Sequence, residues 1–156
     1  MSLPAELSRQ TGASGFLERV RELVGGQLFD ASTVSFAPKR GGAYALLIGL
    51  DAALVFPHKH NPYGFAPGWY VYAGSAYGPG GIRARVGRHF ARGKTVRWRV
   101  DHLTEVAAAL KVLVLERSSE CEIVEALMRS GAFRPALEGF GSSDCRMCNA
   151  HLLEAH

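Results

Sequence analysis

A chain of 156 residues has room for one hydrophobic core and not for two. Its 47% apolar and 21% charged residues are the balance of a globular domain, which excludes a disordered or fibrous chain. No apolar run reaches the length of a membrane span, and the start, MSLPAELSRQTG, has neither a basic nor an apolar signal region. The expectation is a cytoplasmic protein with no membrane partner. The net charge of +4 conceals an asymmetry: residues Ala31 to Val100 hold ten Lys or Arg and one acid, Asp51. Seven of those bases fall between Arg83 and Arg99. Such a cluster repels itself unless something anionic binds, which favours a polyanion, most simply nucleic acid, over a merely solvated basic face.

In chain order, Phe16, Leu17, Val20, Leu23 and Val24 recur at helical spacing until Gly25-Gly26 stops them. Residues 30–42 read as a linker ending in PKRGG, so residues 1–40 form a helical extension and 41–156 the main domain. YALLIGL (Tyr44 to Leu50) is a short apolar run of strand length, expected to be central and buried. The stretch 51–67, with its prolines, His58, His60 and glycines, reads as a long loop. Trp69 to Tyr72 follows as a strand with Tyr70 and Tyr72 on one face, paired antiparallel with the first. A glycine-rich turn, Gly78-Pro79-Gly80-Gly81, then opens a helix with Ile82, Val86 and Phe90 as its apolar stripe. Arg85, Arg88 and Arg92 share another face, with His89 between the two.

Arg97-Trp98-Arg99 leads into a helical turn, and ALKVLVL (Ala109 to Leu115) is a third strand. Ser119 followed by Glu122 is a capping box, which puts Glu120 at the first position of another helix. Residues 131–141 read as irregular. The fold class is α+β: a small, three-stranded, mainly antiparallel sheet flanked by helices.

Gly42-Ala43-Tyr44 and Tyr72-Ala73-Gly74, followed by an arginine helix carrying Arg85 and by the helical Glu120, resemble the GIY-YIG nuclease superfamily. The wider pattern of GAYALLI, GWYVYAGSAYGPGG, RWRVDHL, SSEC and GFGSSDC is similar to an uncharacterised branch of it, over Gly41 to Leu153. Both middle positions are alanine where the family name has isoleucine, and 27 residues part Tyr44 from Tyr72 where a short hairpin is usual. The resemblance implies a metal-dependent endonuclease that hydrolyses DNA phosphodiesters, in repair or recombination, with RNA an open alternative substrate.

It implies Tyr44 as general base, Tyr72 as its positioning partner, and Arg85 against the scissile phosphate. Since a free phenol has a pKa of about 10, the base role calls for positive charge from Arg85, with Arg88 or His89, to lower it. Glu120 would hold one Mg²⁺ or Mn²⁺, and His89 would protonate the leaving group or touch phosphate. Gly74, Ser75, Arg83, Arg88, Arg92, Lys94 and Arg97 are the candidate nucleic-acid contacts. Each has a plainer reading: core tyrosines, exposed helix arginines, a structural histidine, and a glutamate placed by the helix dipole. Cys121, Cys145, Cys148 and His151 are candidate Zn²⁺ ligands, though C-x2-C-x2-H is tight for one ion, and reduced thiols packed as small hydrophobes are the alternative. Two further classes therefore stay open. One is a nucleic-acid-binding module that does not cut, the other a zinc- or thiol-based structural protein.

Overall fold

The structure, a computed structural model, describes residues 3–58, 60–141 and 148–155, with side chains from residue 14 onward. The elements are α1 (Leu3–Val24), β1 (Gln27–Phe29), a 3₁₀ turn (Val34–Phe36), β2 (Gly42–Leu50), β3 (Leu54–Phe56), β4 (Tyr63–Phe65) and β5 (Gly68–Ala76). They continue with α2 (Gly81–Phe90), α3 (Asp101–Val106), β6 (Ala109–Leu115), α4 (Glu120–Arg129), β7 (Phe133–Pro135) and β8 (Leu152–Ala155). This is an α+β fold with four helices among the described residues. Its main sheet is antiparallel throughout, in the order β1-β6-β2-β5-β8-β7.

That sheet has six strands where the sequence predicts three. The predicted three are its centre: β2, β5 and β6. The other three have three or four residues each, too few to display an alternating pattern, and pairing partners rather than local sequence define them. One of them, β7, lies in the stretch read as irregular. The expected loop at 51–67 contains the β3–β4 pair. Phe56 and Phe65 on that pair pack edge to face and against Phe140, which gives a Pro-rich segment an apolar anchor.

β2 is buried along its whole length because both faces of the sheet are covered. Tyr44, Leu46 and Ile48 face one core cluster with Ile82 and Val86 of α2, Leu103 of α3 and Phe140. Ala43, Ala45 and Leu47 face the other, with Phe16, Leu17 and Val20 of α1 and Ile123, Val124 and Leu127 of α4. Burying each such aliphatic side chain contributes about 1.5–3 kcal/mol, so this two-sided burial rigidly fixes the strand that carries Tyr44. α4 starts as its sequence predicts: the Ser119 hydroxyl accepts a hydrogen bond from the Glu122 N–H at 3.2 Å. No helix among the described residues is long and apolar enough to cross a membrane.

Candidate active site

The β2–β5 register sets Tyr44 opposite Gly74 and Leu46 opposite Tyr72. Residues two apart on a strand share a face, so Tyr44 and Tyr72 are diagonal neighbours on one surface, their ring centres 6.5 Å apart. The Tyr44 ring lies across the Gly74 backbone, and a Cβ at Gly74 would overlap it. Gly74 thus sits inside β5 rather than in the glycine turn, and what it does there is clear space for Tyr44.

α2 packs its buried stripe on this surface and brings His89 to the phenol. The Tyr44 hydroxyl and His89 Nε2 are 2.7 Å apart, with Tyr44 2% and His89 1% exposed. Burial pushes the His89 pKa down to about 3, against the opposing pull of the Asp101 charge, so the ring is neutral. Burial likewise raises the Tyr44 phenol well above its usual value. Tyr72 adds to that rise, and the Arg85 charge offsets only part of it. Tyr72 is raised to about 12, again chiefly by burial. The expectation that positive charge makes Tyr44 acidic is therefore not met: desolvation outweighs Arg85, and both phenols are un-ionised at neutral pH.

A cleft of about 320 Å³ opens over these groups. Tyr44, Tyr72, Ser75, Arg85, His89, Arg97 and Glu120 line it, together with Trp98, Arg99 and Phe140. Arg85 lies over the Trp98 ring at 4.2 Å, and among the described residues its guanidinium has no carboxylate partner. Asp101, fully buried at the start of α3, holds that indole in place. Its Oδ2 accepts from the Arg97 and Trp98 N–H groups at 2.8 and 2.9 Å, and from Arg88 at 2.5 Å. The Arg97-Trp98-Arg99 loop is thus pinned by one carboxylate, with the Arg97 and Arg99 side chains exposed at the cleft.

The remaining predicted nucleic-acid contacts have partners within the chain. Arg83 Nε donates to the Ala37 carbonyl at 2.6 Å. Arg92 lies beyond the end of α2 and donates to the Thr104, Glu105 and Ala107 carbonyls at 2.7–2.8 Å, closing the C-terminal end of α3. Lys94 pairs with Glu105 at 3.0 Å. The first turn of α2 gives its amides to the chain rather than to the cleft. Ile82 N–H donates to Arg40 C=O at 2.9 Å and Arg83 N–H to Pro38 C=O at 2.8 Å. Gly81, at φ +60°, permits this, since a side chain there would collide with the Lys39 and Arg40 carbonyls.

Glu120, at the start of α4, faces the cleft with its side chain 32% exposed, and its Oε2 is 3.5 Å from His151 Nδ1. Cys121, Cys148 and His151 lie together; Cys145 is outside the described residues. His58 is half-buried and His60 exposed in the β3–β4 connection, and neither lines the cleft. Sequence reasoning passed over Trp98, Arg99 and Phe140 as site residues. The RWR triplet was the available signal for the first two, since an aromatic between two arginines near a basic helix suits stacking and charge together.

Fold and cleft define a class: an α+β domain whose antiparallel sheet carries two tyrosines into a basic cleft edged by one carboxylate. Within it, the chain belongs to the family described as a domain of unknown function, DUF123, whose model matches residues 43–156. No curated protein and no solved structure matches the chain.

Proposed function

We propose that this protein is a GIY-YIG-type endonuclease that hydrolyses DNA phosphodiester bonds with Mg²⁺ or Mn²⁺. The observation that supports this reading best is that Tyr44, Tyr72, Arg85 and Glu120, from two strands and two helices far apart in sequence, line one open cleft. Nothing in core packing requires an arginine stacked on tryptophan and a carboxylate to share a surface with two tyrosines.

The donor set suits a hard divalent cation: one carboxylate in an open cleft leaves room for waters and phosphate oxygens, the mixture Mg²⁺ prefers. Glu120 would hold it, and when bound the ion supplies charge neutralisation at the phosphate and the leaving oxygen. The protein's own groups do the rest. Because Tyr44 is un-ionised, it cannot take a proton from water unless it gives one up. His89 is placed for that: with its proton on Nδ1, its Nε2 accepts the Tyr44 proton as the phenol oxygen accepts one from water. The resulting imidazolium is opposed by burial and by the Arg85, Lys94 and Arg88 charges, and favoured by Asp101 and by the charge of the bound phosphate. Tyr72 orients the water from the diagonal position. Arg85, stiffened by Trp98, presents its fork of donors to the phosphate oxygens. His89 is a proton acceptor in this scheme rather than a donor to the leaving group.

A module that binds DNA without cutting it is the second reading, favoured by the un-ionised state of both phenols. Incubating the protein with single-stranded, nicked and branched DNA, with Mg²⁺, Mn²⁺ or EDTA, separates the two. The nuclease reading expects metal-dependent scission that is lost in Arg85→Ala and Glu120→Ala. No scission by the wild type, or scission undiminished by both substitutions, would remove it.

A further inference from the structure

Cys121 is the second residue of α4, Cys148 lies on the segment entering β8, and His151 immediately precedes that strand. Their ligand atoms all lie within 4.8 Å of one another. The His151 backbone is locked: its N–H donates to Phe140 C=O and its C=O accepts from Ala73 N–H, both at 2.8 Å. Its ring is 1% exposed; among the described residues Nε2 has no hydrogen-bond partner, and Nδ1 has only a loose approach to Glu120 Oε2 at 3.5 Å. An imidazole in that condition is costly as a core side chain, because Nε2 loses water without replacement and Nδ1 regains little.

Two thiols and an imidazole are the donors that Zn²⁺ selects over hard cations. Around a tetrahedral zinc, with Zn–S about 2.3 Å and Zn–N about 2.0 Å, ligand atoms stand about 3.5–4 Å apart. The observed spread closes to that with a small rotation of the side chains, while the backbones stay where the sheet and helix put them.

We infer that Cys121, Cys148 and His151 bind one Zn²⁺, distinct from any ion at Glu120. His151 turns Nδ1 toward Glu120, so the ion falls on Nε2, the arrangement in which a carboxylate steadies a zinc-bound histidine. Both thiols bind as thiolates and release their protons to solvent. The fourth position belongs to a donor outside these three. The ion fastens the first turn of α4 to the start of β8, and β8 in turn pairs with the part of β5 that carries Tyr72. Through His151 it also fixes the orientation of Glu120 at the cleft. This inference stands apart from the nuclease reading, since a zinc-bearing protein need not cut DNA.

The test is elemental analysis of the untagged full-length protein, purified without chelator and without added metal. It is followed by exchange of the bound metal for Co²⁺ and an absorption spectrum. About one zinc per chain is expected, with the intense visible bands and near-ultraviolet sulfur charge transfer of a tetrahedral thiolate cobalt centre. The Cys121→Ser/Cys148→Ser double variant should lose the zinc and the charge-transfer band. Wild-type protein with little zinc, a weak octahedral cobalt spectrum, a Cys121–Cys148 disulfide, or zinc retained by the double variant would each overturn the assignment. Should the double variant fail to fold, the wild-type stoichiometry and cobalt spectrum decide alone.

Discussion

Tyr44 and His89, 45 positions apart in the chain, share a 2.7 Å hydrogen bond in a place almost sealed from water. Both groups stay neutral, and burial is the chief cause of both displaced titrations. The pair therefore couples the stability of the fold to pH at both ends of the scale.

On the acid side, the folded His89 has a pKa near 3 against 6.5 for an exposed ring. The unfolded chain thus binds a proton that the fold refuses. Its contribution to stability is complete above pH 6.5 and declines as pH falls toward 3, by at most about 1.4 kcal/mol per pH unit. Denaturant titrations of wild type and His89→Gln across that window should show a shallower acid limb in the variant. Parallel curves would contradict the assignment of a buried neutral ring.

On the alkaline side, the signs reverse. Tyr44 and Tyr72 have folded pKa values above the ordinary 10, so the stability they contribute is intact below pH 10 and lost as pH rises beyond it. Spectrophotometric titration of the native protein should find three of the five tyrosines ionising only as the fold opens, since burial raises Tyr70 as well. In Tyr44→Phe, one of those late steps disappears.

Gly74→Ala should destabilise the protein by roughly 1–3 kcal/mol, the usual cost of forcing a methyl group into a filled site. The methyl meets the Tyr44 ring, so the penalty should shrink when Tyr44→Leu is introduced as well. Chemical denaturation of the two single variants and the double variant tests this. Additive penalties would mean that the glycine serves another purpose, such as letting a phosphate approach.

The arginines should divide into two sets in a salt titration of DNA binding. Arg97→Ala and Arg99→Ala, whose side chains project at the cleft, should each lower the salt slope by about one. Arg83→Ala and Arg92→Ala remove bonds to backbone carbonyls, and should lower the melting temperature with little change in that slope. Equal slopes in all four variants would dissociate the cleft from nucleic acid.

What the sequence disclosed follows from how local each signal is. β2, β5 and β6 are seven to nine residues of apolar or alternating chain, and the Ser119 cap is a four-residue motif; each is visible in isolation. β8 is four residues long and earns its place only by pairing with β5. The basic cluster led to the expectation of a polyanion but did not show which of its members face outward. Whether Arg92 meets a phosphate or the end of α3 depends on where the chain goes after Phe90, and no spacing rule records that. The ionisation of Tyr44 was misjudged for a related reason: the arginines are evident in the sequence, while the depth at which the phenol lies is not.

The short strand β1 occupies one side of β6, opposite the side taken by β2. If residues 1–40 were cut away, β6 would show an unpaired row of amides and carbonyls, and the apolar surface under α1 would be uncovered beside it. Such a strand is a template for another chain. A protein shortened to residues 41–156 should therefore run as dimers or larger species in size-exclusion chromatography where the whole chain does not. The N-terminal segment would then act as a guard against self-association, whatever chemistry the cleft performs.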